Sequence, residues 1–339
     1  MIVYVHGLRN WGAVEEYVAA LVRAAGDDAV LLYADDPVLA PFAELGGRPF
    51  DLDAPRLTRR LTRTLRALGP EIVHVTDVFP QALVAARLAG VKRVVVTHHT
   101  PELPRRDNLA GRAWNRLGWA TRPQVIYTSE ADRRRDGRQH AHVIELGIDL
   151  DRFALGRPVL EGVVVGNVAR LAEQKGHRDL IAAAPAVLER HPDARFVVAG
   201  DGELRAELET LARPLSERFT FLGERDDVPD LLASFAVFAY PSRFEGLCLA
   251  VIEAQAAGVP VVSTPVGGIV ENVVDGETGL LVPPDDPVAL AEAIVRVLDD
   301  PELGRTLADR ARPRVFERYG RQRMVERTLA LYDSMRYSS

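Results

Sequence analysis

The chain has 339 residues, of which 47% are hydrophobic, and its formal net charge is −6 at pH 7. This length and composition predict about two globular domains, each large enough to bury a core of its own. Neither half has a strong basic excess, which excludes the charge pattern of a nucleic-acid-binding protein.

Strand-like and helix-like segments alternate from the first residues onward. The sequence begins with a strand-like segment instead of a basic leader, and no apolar run reaches the length of a membrane span. The single cysteine, Cys248, fits a reducing compartment, so we expect a cytoplasmic protein. The first half is predicted to contain strands at 2–5, 29–33, 72–75, 94–98 and 125–128, and helices at 14–25, 55–68, 81–89 and 111–120.

The helix predicted at 55–68 is strongly amphipathic. At 100° per residue, its leucines fall on one face and its arginines on the other. We expect the leucines to pack on a sheet and the arginines to be solvated, so contact with an anionic membrane is a disfavoured alternative. The leucines are Leu57, Leu61, Leu65 and Leu68, and the arginines are Arg56, Arg59, Arg60, Arg63 and Arg66.

Two features of the first half are candidates for ligand binding. Gly12, between the first strand and the first helix, would let the backbone approach a phosphate or sugar, although glycine at such turns is often purely steric. His98 and His99 end the strand at 94–98, where a histidine could donate a hydrogen bond, accept a proton near neutral pH or simply cap the strand. Adjacent strand residues point to opposite faces, so only one of the two can face a ligand.

The stretch 149–161 has neither helical nor strand periodicity and carries Gly156, Arg157 and Pro158. A linker there gives domains at 1–155 and 156–320, followed by a C-terminal helix in 321–339 that could pack back on the first domain. Alternation resumes after the linker, so both domains are predicted to be doubly wound α/β units, with a ligand cleft between them. The second half is predicted to contain strands at 163–168, 195–199, 219–222, 237–240, 259–263 and 280–283, and terminal helices at 287–299, 301–317 and 321–332.

A glycine-flanked stretch, 166–176, follows the first strand of the second domain. Arg170 and Lys175 lie in it, just before a helix predicted to begin near Gly176. A diphosphate there would meet two cations and a helix N-terminus. The alternative, two solvated surface charges, is disfavoured because the surrounding pattern is also present.

The most informative stretch is 243–254, where Glu245 and Glu253 lie eight positions apart. Residues 235–240 predict a buried strand and 247–257 a helix, which places Glu245 on a strand-to-helix turn. Such turns, at the carboxyl edge of a parallel sheet, are where open α/β sheets bind ligands. If the stretch were helical throughout, both carboxylates would lie near one face and could hold two parts of one elongated polar ligand.

Two acidic pairs, Asp51 with Asp53 and Asp149 with Asp151, are the candidates for a metal site. The first is interpreted as a helix cap and the second lies in the linker, so we expect no metal. Residues 200–202 partly match a dinucleotide fingerprint, but Arg205 stands at its third glycine position, which argues against a nicotinamide cofactor.

Taken together, the ordered segments resemble the retaining GT-B glycosyltransferases of family four, the glycogen-synthase-like and sucrose-synthase-like group. The resemblance is strongest over 163–284 and includes 166–176, 198–202, 221–223, 241–258, 267–268 and 276–282. It implies two Rossmann-like domains with an inter-domain cleft. It also implies a bacterial enzyme that transfers a hexosyl or N-acetylhexosaminyl group from a UDP- or GDP-type nucleotide diphospho-sugar to a hydroxyl of a small soluble acceptor. Configuration would be retained, and no cofactor or metal would be needed.

The resemblance also implies roles for individual residues. Arg170 and Lys175 would bind the diphosphate, and Glu253 would hold the ribose hydroxyls. The sugar and phosphate would be held by Glu245 and by the backbone of Gly246 and Leu247.

The resemblance implies roles for four further positions. Gly223 and Arg225 lie where the base is usually recognised, His99 matches a histidine near the donor sugar, and Gly12 matches the loop that closes over it. The chain departs from the pattern at Ala13, where a second glycine is common, and at Leu146, which replaces an asparagine.

Three other functions remain open at this point, because a fold does not fix a chemistry. They are a sugar-nucleotide epimerase or hydrolase, a non-catalytic nucleotide-sugar-binding subunit, and a peripheral membrane glycosyltransferase with a lipid acceptor. Nucleotide release with and without an acceptor separates transfer from the first two.

Overall fold

The structure, a computed structural model, describes residues 1–8, 13–77, 79–99, 109–138 and 141–337. The chain divides into two compact units, the first formed by Met1–Ile148 with Arg321–Ser339 and the second by Asp149–Gly320. The segment 149–155 therefore belongs to the second unit, and the C-terminal helix belongs to the first. Among the described residues, no helix combines the length and apolar character needed to span a bilayer.

The first unit is built on a parallel sheet. Its strands are β1 (Ile2–His6), β2 (Ala29–Ala34), β3 (Arg48–Phe50), β4 (Ile72–Val75), β5 (Arg93–His98), β6 (Gln124–Tyr127) and β7 (His142–Val143). Their order across the sheet is β3-β2-β1-β4-β5-β6-β7. Its helices up to residue 148 are α1 (Ala13–Ala25), α2 (Pro41–Glu44), α3 (Leu57–Leu68), α4 (Pro80–Leu88), α5 (Leu109–Ala120) and α6 (Glu130–Asp136).

The second unit repeats this plan. Its strands are β8 (Val164–Val168), β9 (Arg195–Ala199), β10 (Phe219–Gly223), β11 (Val237–Tyr240), β12 (Val261–Ser263) and β13 (Leu280–Leu281), in the order β10-β9-β8-β11-β12-β13. Its helices are α7 (Leu150–Ala154), α8 (His177–Arg190), α9 (Arg205–Ala212), α10 (Val228–Ala233), α11 (Leu249–Ala256), α12 (Ile269–Asn272), α13 (Pro287–Asp299) and α14 (Pro301–Tyr319). The chain then re-enters the first unit as α15 (Arg321–Tyr337).

Both sheets confirm the predicted doubly wound α/β architecture. Buried, mostly β-branched strand residues pack against helices, as parallel sheets covered by helices require. In each unit the winding reverses at one pair of neighbouring strands, β1 with β4 and β8 with β11. These are the topological switch points, and the loops at the carboxyl ends of their strands are the favoured place for a ligand.

Helix α3 has the predicted two faces. Leu61 and Leu65 are buried in the core of the first unit, with Leu57 and Leu68 packed against it, while the arginine face is exposed. The predicted start at residue 55 is wrong, because Arg56 takes a left-handed conformation with φ 60° and the helix begins at Leu57.

Candidate functional site

Three loops of the second unit lie against one another where β8, β11 and β12 end. A Cβ atom on Gly176 would lie 1.9 Å from the carbonyl oxygen of Pro241, and one on Gly267 would lie 1.8 Å from that of Glu245. Both glycines also have positive φ, at 66° and 52°. Only glycine tolerates both the close backbone contact and the positive φ, so these two positions allow the loops to approach each other.

The centre of this edge is an ion pair between Lys175 and Glu245. Nζ of Lys175 lies 2.6 Å from Oε1 of Glu245, and the two side chains are 14% and 6% exposed. Ser242 Oγ donates to the same carboxylate oxygen at 2.7 Å. The ammonium also lies 5.4 Å from the centroid of the Tyr240 ring, within cation–π range. The pair therefore joins the loop after β8 to the loop after β11 across the switch point.

Backbone and surface contacts hold these two loops in register. Gln174 Nε2 donates to the carbonyl of Phe244 at 2.8 Å, and the backbone N–H of Arg243 donates to the carbonyl of Gln174 at 2.8 Å. The guanidinium of Arg243 lies 2.5 Å from Asp285. These contacts fix the backbone that carries the ion pair, and an electrostatic binding site requires such a rigid support.

Arg170 is placed differently from Lys175. Its side chain is exposed and makes no ion pair with any residue of the described ranges. It follows β8 at the same edge of the sheet, so an anion bound there could recruit it without breaking an existing contact.

Glu245, Gly246 and Leu247 are loop residues, because α11 begins only at Leu249. Cys248 precedes the helix in a left-handed conformation with φ 60°, so the helical spacing expected between Glu245 and Glu253 does not apply. The carbonyl of Gly246 accepts from the N–H of Gly268 at 2.7 Å. Burial raises the pKa of the Cys248 thiol, which keeps it protonated.

Glu253 is half-buried on α11. Burial raises its pKa to about 7, and the positive charge of Arg152 on α7 opposes that rise. Nη2 of Arg152 also donates to the carbonyl of Asp226, at 3.1 Å, in the turn after β10. A carboxylate with this pKa changes charge near neutral pH, when most carboxylates are fully ionised.

The expected base-recognition residues lie at the end of β10. The carbonyl of Gly223 accepts from the N–H of Gly200 at 2.7 Å. Arg225 is exposed, and its guanidinium binds Asp227 through two hydrogen bonds of 2.8 and 2.6 Å. Arg225 is therefore held by its own turn, and only its remaining N–H groups are available to a ligand.

His98 and His99 face different neighbours, as their adjacent positions predict. The ring of His98 lies 5.3 Å from that of Tyr127, and the ring of His99 lies 5.0 Å from that of Tyr17, edge to face at 74°. Burial, together with the neighbouring imidazoles of His6, His74 and His98, lowers the pKa of His99 to about 3. Of the roles left open for His99, this environment therefore favours that of a neutral imidazole. Gly12 lies outside the described residues.

The acidic pairs take part in turns. Asp51 Oδ1 accepts from the N–H of Asp53 at 2.8 Å, so it closes a turn and does not cap α3, whose cap position is Arg56. Asp149 caps α7 by accepting from the N–H of Arg152. Within the described ranges, no group of three histidine, cysteine or acidic side chains could hold a metal ion.

The sequence interpretation missed two contributors to this edge. Ser242 orients Glu245, and the signal for it is a hydroxyl residue directly after a strand and three positions before the carboxylate. Arg152 faces Glu253 from the segment interpreted as a linker, and no local pattern marks it.

Comparison with known proteins identifies families and folds that this chain resembles. Residues 162–300 match the family described as glycosyl transferases group 1, and residues 13–152 match glycosyltransferase family 4. Among solved structures, Anabaena Alr3699/HepE in complex with UDP and glucose superposes with a TM-score of 0.85 at 22% identity, covering 98% of this chain and 99% of that one. That likeness concerns the fold.

Two relatives are similar in sequence over most of their length. A GDP-mannose-dependent monoacylated α-(1-6)-phosphatidylinositol monomannoside mannosyltransferase of Corynebacterium glutamicum is 28% identical, over 96% of this chain and 93% of its own. The glycogen synthase of Mycobacterium tuberculosis is 31% identical, over 79% of this chain and 70% of its own. The chain therefore belongs to the GT-B glycosyltransferases of group 1, with a first unit of the family-four type.

Proposed function

We propose that the enzyme is a cytoplasmic, retaining glycosyltransferase that moves a sugar from a UDP- or GDP-type nucleotide diphospho-sugar to a hydroxyl of a small soluble acceptor. The observation that carries this proposal is the Lys175–Glu245 ion pair, braced at the switch point of the second unit. A cation and a carboxylate side by side suit a donor that presents a diphosphate next to a polyhydroxylated sugar.

The proposed reaction depends on stabilisation of the leaving group and does not need a nucleophile supplied by the enzyme. As the bond between C1 of the sugar and the diphosphate oxygen breaks, negative charge grows on the diphosphate, where Lys175 and Arg170 would stabilise it. The acceptor hydroxyl oxygen forms its bond to C1 on the same face. The departing diphosphate takes the hydroxyl proton, which balances the reaction.

Glu245 fits an anchoring role in this scheme. Its Oε1 already accepts from Lys175 and Ser242, so the carboxylate is committed to hydrogen bonds instead of standing free to attack C1. Retention would then arise from attack on the face that the leaving group vacates. The anomeric configuration of the product, read by proton NMR, tests this directly.

Ligand identity is testable with a thermal-shift panel of nucleotides and nucleotide sugars, because a ligand that binds only the native state raises the midpoint of unfolding. We expect a nucleoside diphosphate and its sugar conjugate to stabilise the protein. Nucleotide release should then require an acceptor. Release of a changed nucleotide sugar would indicate an epimerase, acceptor-independent release a hydrolase, and binding without turnover a binding subunit.

We expect activity to survive a chelator. Cations and backbone N–H groups can stabilise a leaving diphosphate without a metal, and the candidate acidic pairs are used in turns. The measurement is initial rate before and after dialysis against EDTA. Complete loss of rate that Mg²⁺ or Mn²⁺ restores would contradict this expectation.

Nucleotide affinity should depend on pH through Glu253. Its carboxylate accepts from ribose hydroxyls more strongly when ionised, and its pKa is about 7. Affinity should therefore be constant well above pH 7 and fall below it, approaching roughly tenfold per pH unit. Titration of a nucleoside diphosphate between about pH 8 and about pH 5.5 measures this, with Glu253→Gln as the variant that should lose the dependence. An identical pH profile in that variant would remove Glu253 from the site.

A lipid acceptor is the second candidate, because the arginine face of α3 is exposed and one relative is named for a phosphatidylinositol mannoside. We expect the triple variant Arg59→Gln, Arg60→Gln, Arg63→Gln to change transfer to a soluble acceptor little, because the leucine face holds the helix on its core. Vesicle co-sedimentation provides the comparison. Salt-sensitive binding of the native enzyme to anionic vesicles, lost in the variant, would favour the lipid acceptor.

A further inference from the structure

Four buried polar side chains of the first unit form a hydrogen-bonded chain that begins on its last helix. Tyr332 on α15 lies 2.5 Å from Nδ1 of His74 on β4, and Nε2 of His74 lies 2.7 Å from Oγ1 of Thr97 on β5. Thr97 Oγ1 lies 2.9 Å from the hydroxyl of Tyr17 on α1. None of the four side chains is more than 1% exposed. This set, Tyr332–His74–Thr97–Tyr17, is called the polar chain below.

The imidazole of the polar chain carries a single proton. Burial lowers the pKa of His74 to about 3, so the ring is neutral near pH 7, with one nitrogen donating and the other accepting. Whichever nitrogen carries the proton, Tyr332 and Thr97 take the opposite roles on either side. Removing the Tyr332 hydroxyl would leave a buried imidazole nitrogen without its partner, and such groups are costly.

The rings along the polar chain are also packed edge to face. The His74 ring is close to perpendicular to those of Tyr332 and Tyr17, with centroids 5.8 and 6.3 Å apart. The Tyr17 ring in turn packs edge to face with His99, at 5.0 Å. Each ring thus limits the orientation of the next, from α15 to His99, the residue that follows β5.

We propose that Tyr332 is a positioning residue for His99, acting through His74, Thr97 and Tyr17, so that α15 is part of the catalytic apparatus of the first unit. The proposal rests on the proposed function and on the place near the donor sugar that the family resemblance implies for His99. It assigns a task in the reaction to a residue that lies 233 positions after His99 in the sequence.

The contrasting possibility is a polar cluster that only stabilises the fold. A stabilising role predicts a lower melting temperature with unchanged kinetics of the folded enzyme. A positioning role predicts a loss in kcat while nucleotide affinity is kept, because the nucleotide is assigned to the second unit. The two outcomes separate when kinetics are measured well below the melting temperature.

The experiment compares Tyr332→Phe with Tyr337→Phe, a matched change on the same helix at a side chain that is 86% exposed. We expect kcat for transfer to fall roughly tenfold to a hundredfold in Tyr332→Phe, the range that a misplaced reacting group produces. The Kd for a nucleoside diphosphate should not change. Tyr337→Phe should match the native enzyme. Native kcat in Tyr332→Phe would overturn the proposal.

A second pair of variants covers the case in which Tyr332→Phe folds poorly. Thr97→Val removes the central hydroxyl at nearly constant volume, and Thr97→Ser keeps it. We expect Thr97→Ser to retain most of kcat and Thr97→Val to lose it at unchanged nucleotide affinity. Equal activity in the two variants would show that the hydroxyl has no part in positioning.

An NMR experiment tests the positioning of His99 independently of the proposed function. With ¹⁵N-labelled histidine, the imidazole signal of His99 is identified by its absence in His99→Ala. It should shift in Tyr332→Phe and stay in place in Tyr337→Phe. A shift in an enzyme that transfers no sugar would leave the positioning intact and refute the function. Active enzyme with an unmoved signal would refute the positioning alone.

Discussion

Replacing Lys175 with alanine is expected to lower kcat/KM for sugar transfer by at least about tenfold, because it removes a cation from the leaving diphosphate. The same change leaves Glu245 buried without its counter-ion, which costs on the order of 3 kcal/mol of folding stability. Kinetics must therefore be measured together with thermal unfolding. Initial rates on a purified, folded variant give the comparison.

Two further variants separate the catalytic effect from the loss of stability. Lys92→Ala removes the only other lysine of the chain, which is exposed, and should behave like the native enzyme. The double variant Lys175→Ala, Glu245→Gln removes both buried charges and should regain stability without regaining activity. Native turnover in Lys175→Ala would contradict the assignment of Lys175 to the diphosphate.

Arg170→Ala provides a cleaner version of the same test, since its side chain is exposed and makes no ion pair within the described residues. Stability should change by less than about 0.5 kcal/mol, as is usual for such surface substitutions. Turnover should still fall by about tenfold or more if Arg170 meets the diphosphate.

The second large effect is expected at His99. His99→Ala should reduce kcat roughly a hundredfold, the scale for removing one hydrogen-bond donor from a transition state. Nucleoside diphosphate affinity should stay nearly constant, because that ligand lacks the sugar. Because His99 is neutral near pH 7, the change should remove no pH-dependent limb from the profile above about pH 5.

His98→Ala is the matched control, since the ring of His98 packs beside Tyr127, whereas that of His99 packs on Tyr17. We expect it to have a much smaller effect on transfer. Greater sensitivity at His98 than at His99 would mean that the other face of β5 meets the substrate, and indifference at both positions would end the catalytic interpretation of this segment.

Apolar periodicity was sufficient to predict the central strands and the doubly wound plan, because buried parallel strands are nearly continuous hydrophobic runs. It could not reveal β3, whose three residues include Pro49, or β7, which has two residues. Such edge strands are too short to show a period, and their pairing is decided by neighbours that lie far away in the sequence.

The candidate site was also only partly predictable from the sequence. The residue types and the strand-end positions of Lys175 and Glu245 were visible in the sequence. Their direct contact was not, because it depends on two loops meeting where Gly176 clears the backbone of Pro241. Likewise, the protonation state of His99 follows from burial among other imidazoles, which no local pattern encodes.

The first unit is discontinuous in the sequence, and this has a consequence for synthesis in the cell. The ribosome completes Met1–Ile148 and then all of Asp149–Gly320 before α15 emerges. At roughly 5–20 residues per second, that interval lasts on the order of ten seconds. During it, His74 lacks its Tyr332 partner and the surface that α15 will cover is open. The first unit therefore cannot complete its fold until α15 has been synthesised, whereas all residues of the second unit precede that helix in the chain.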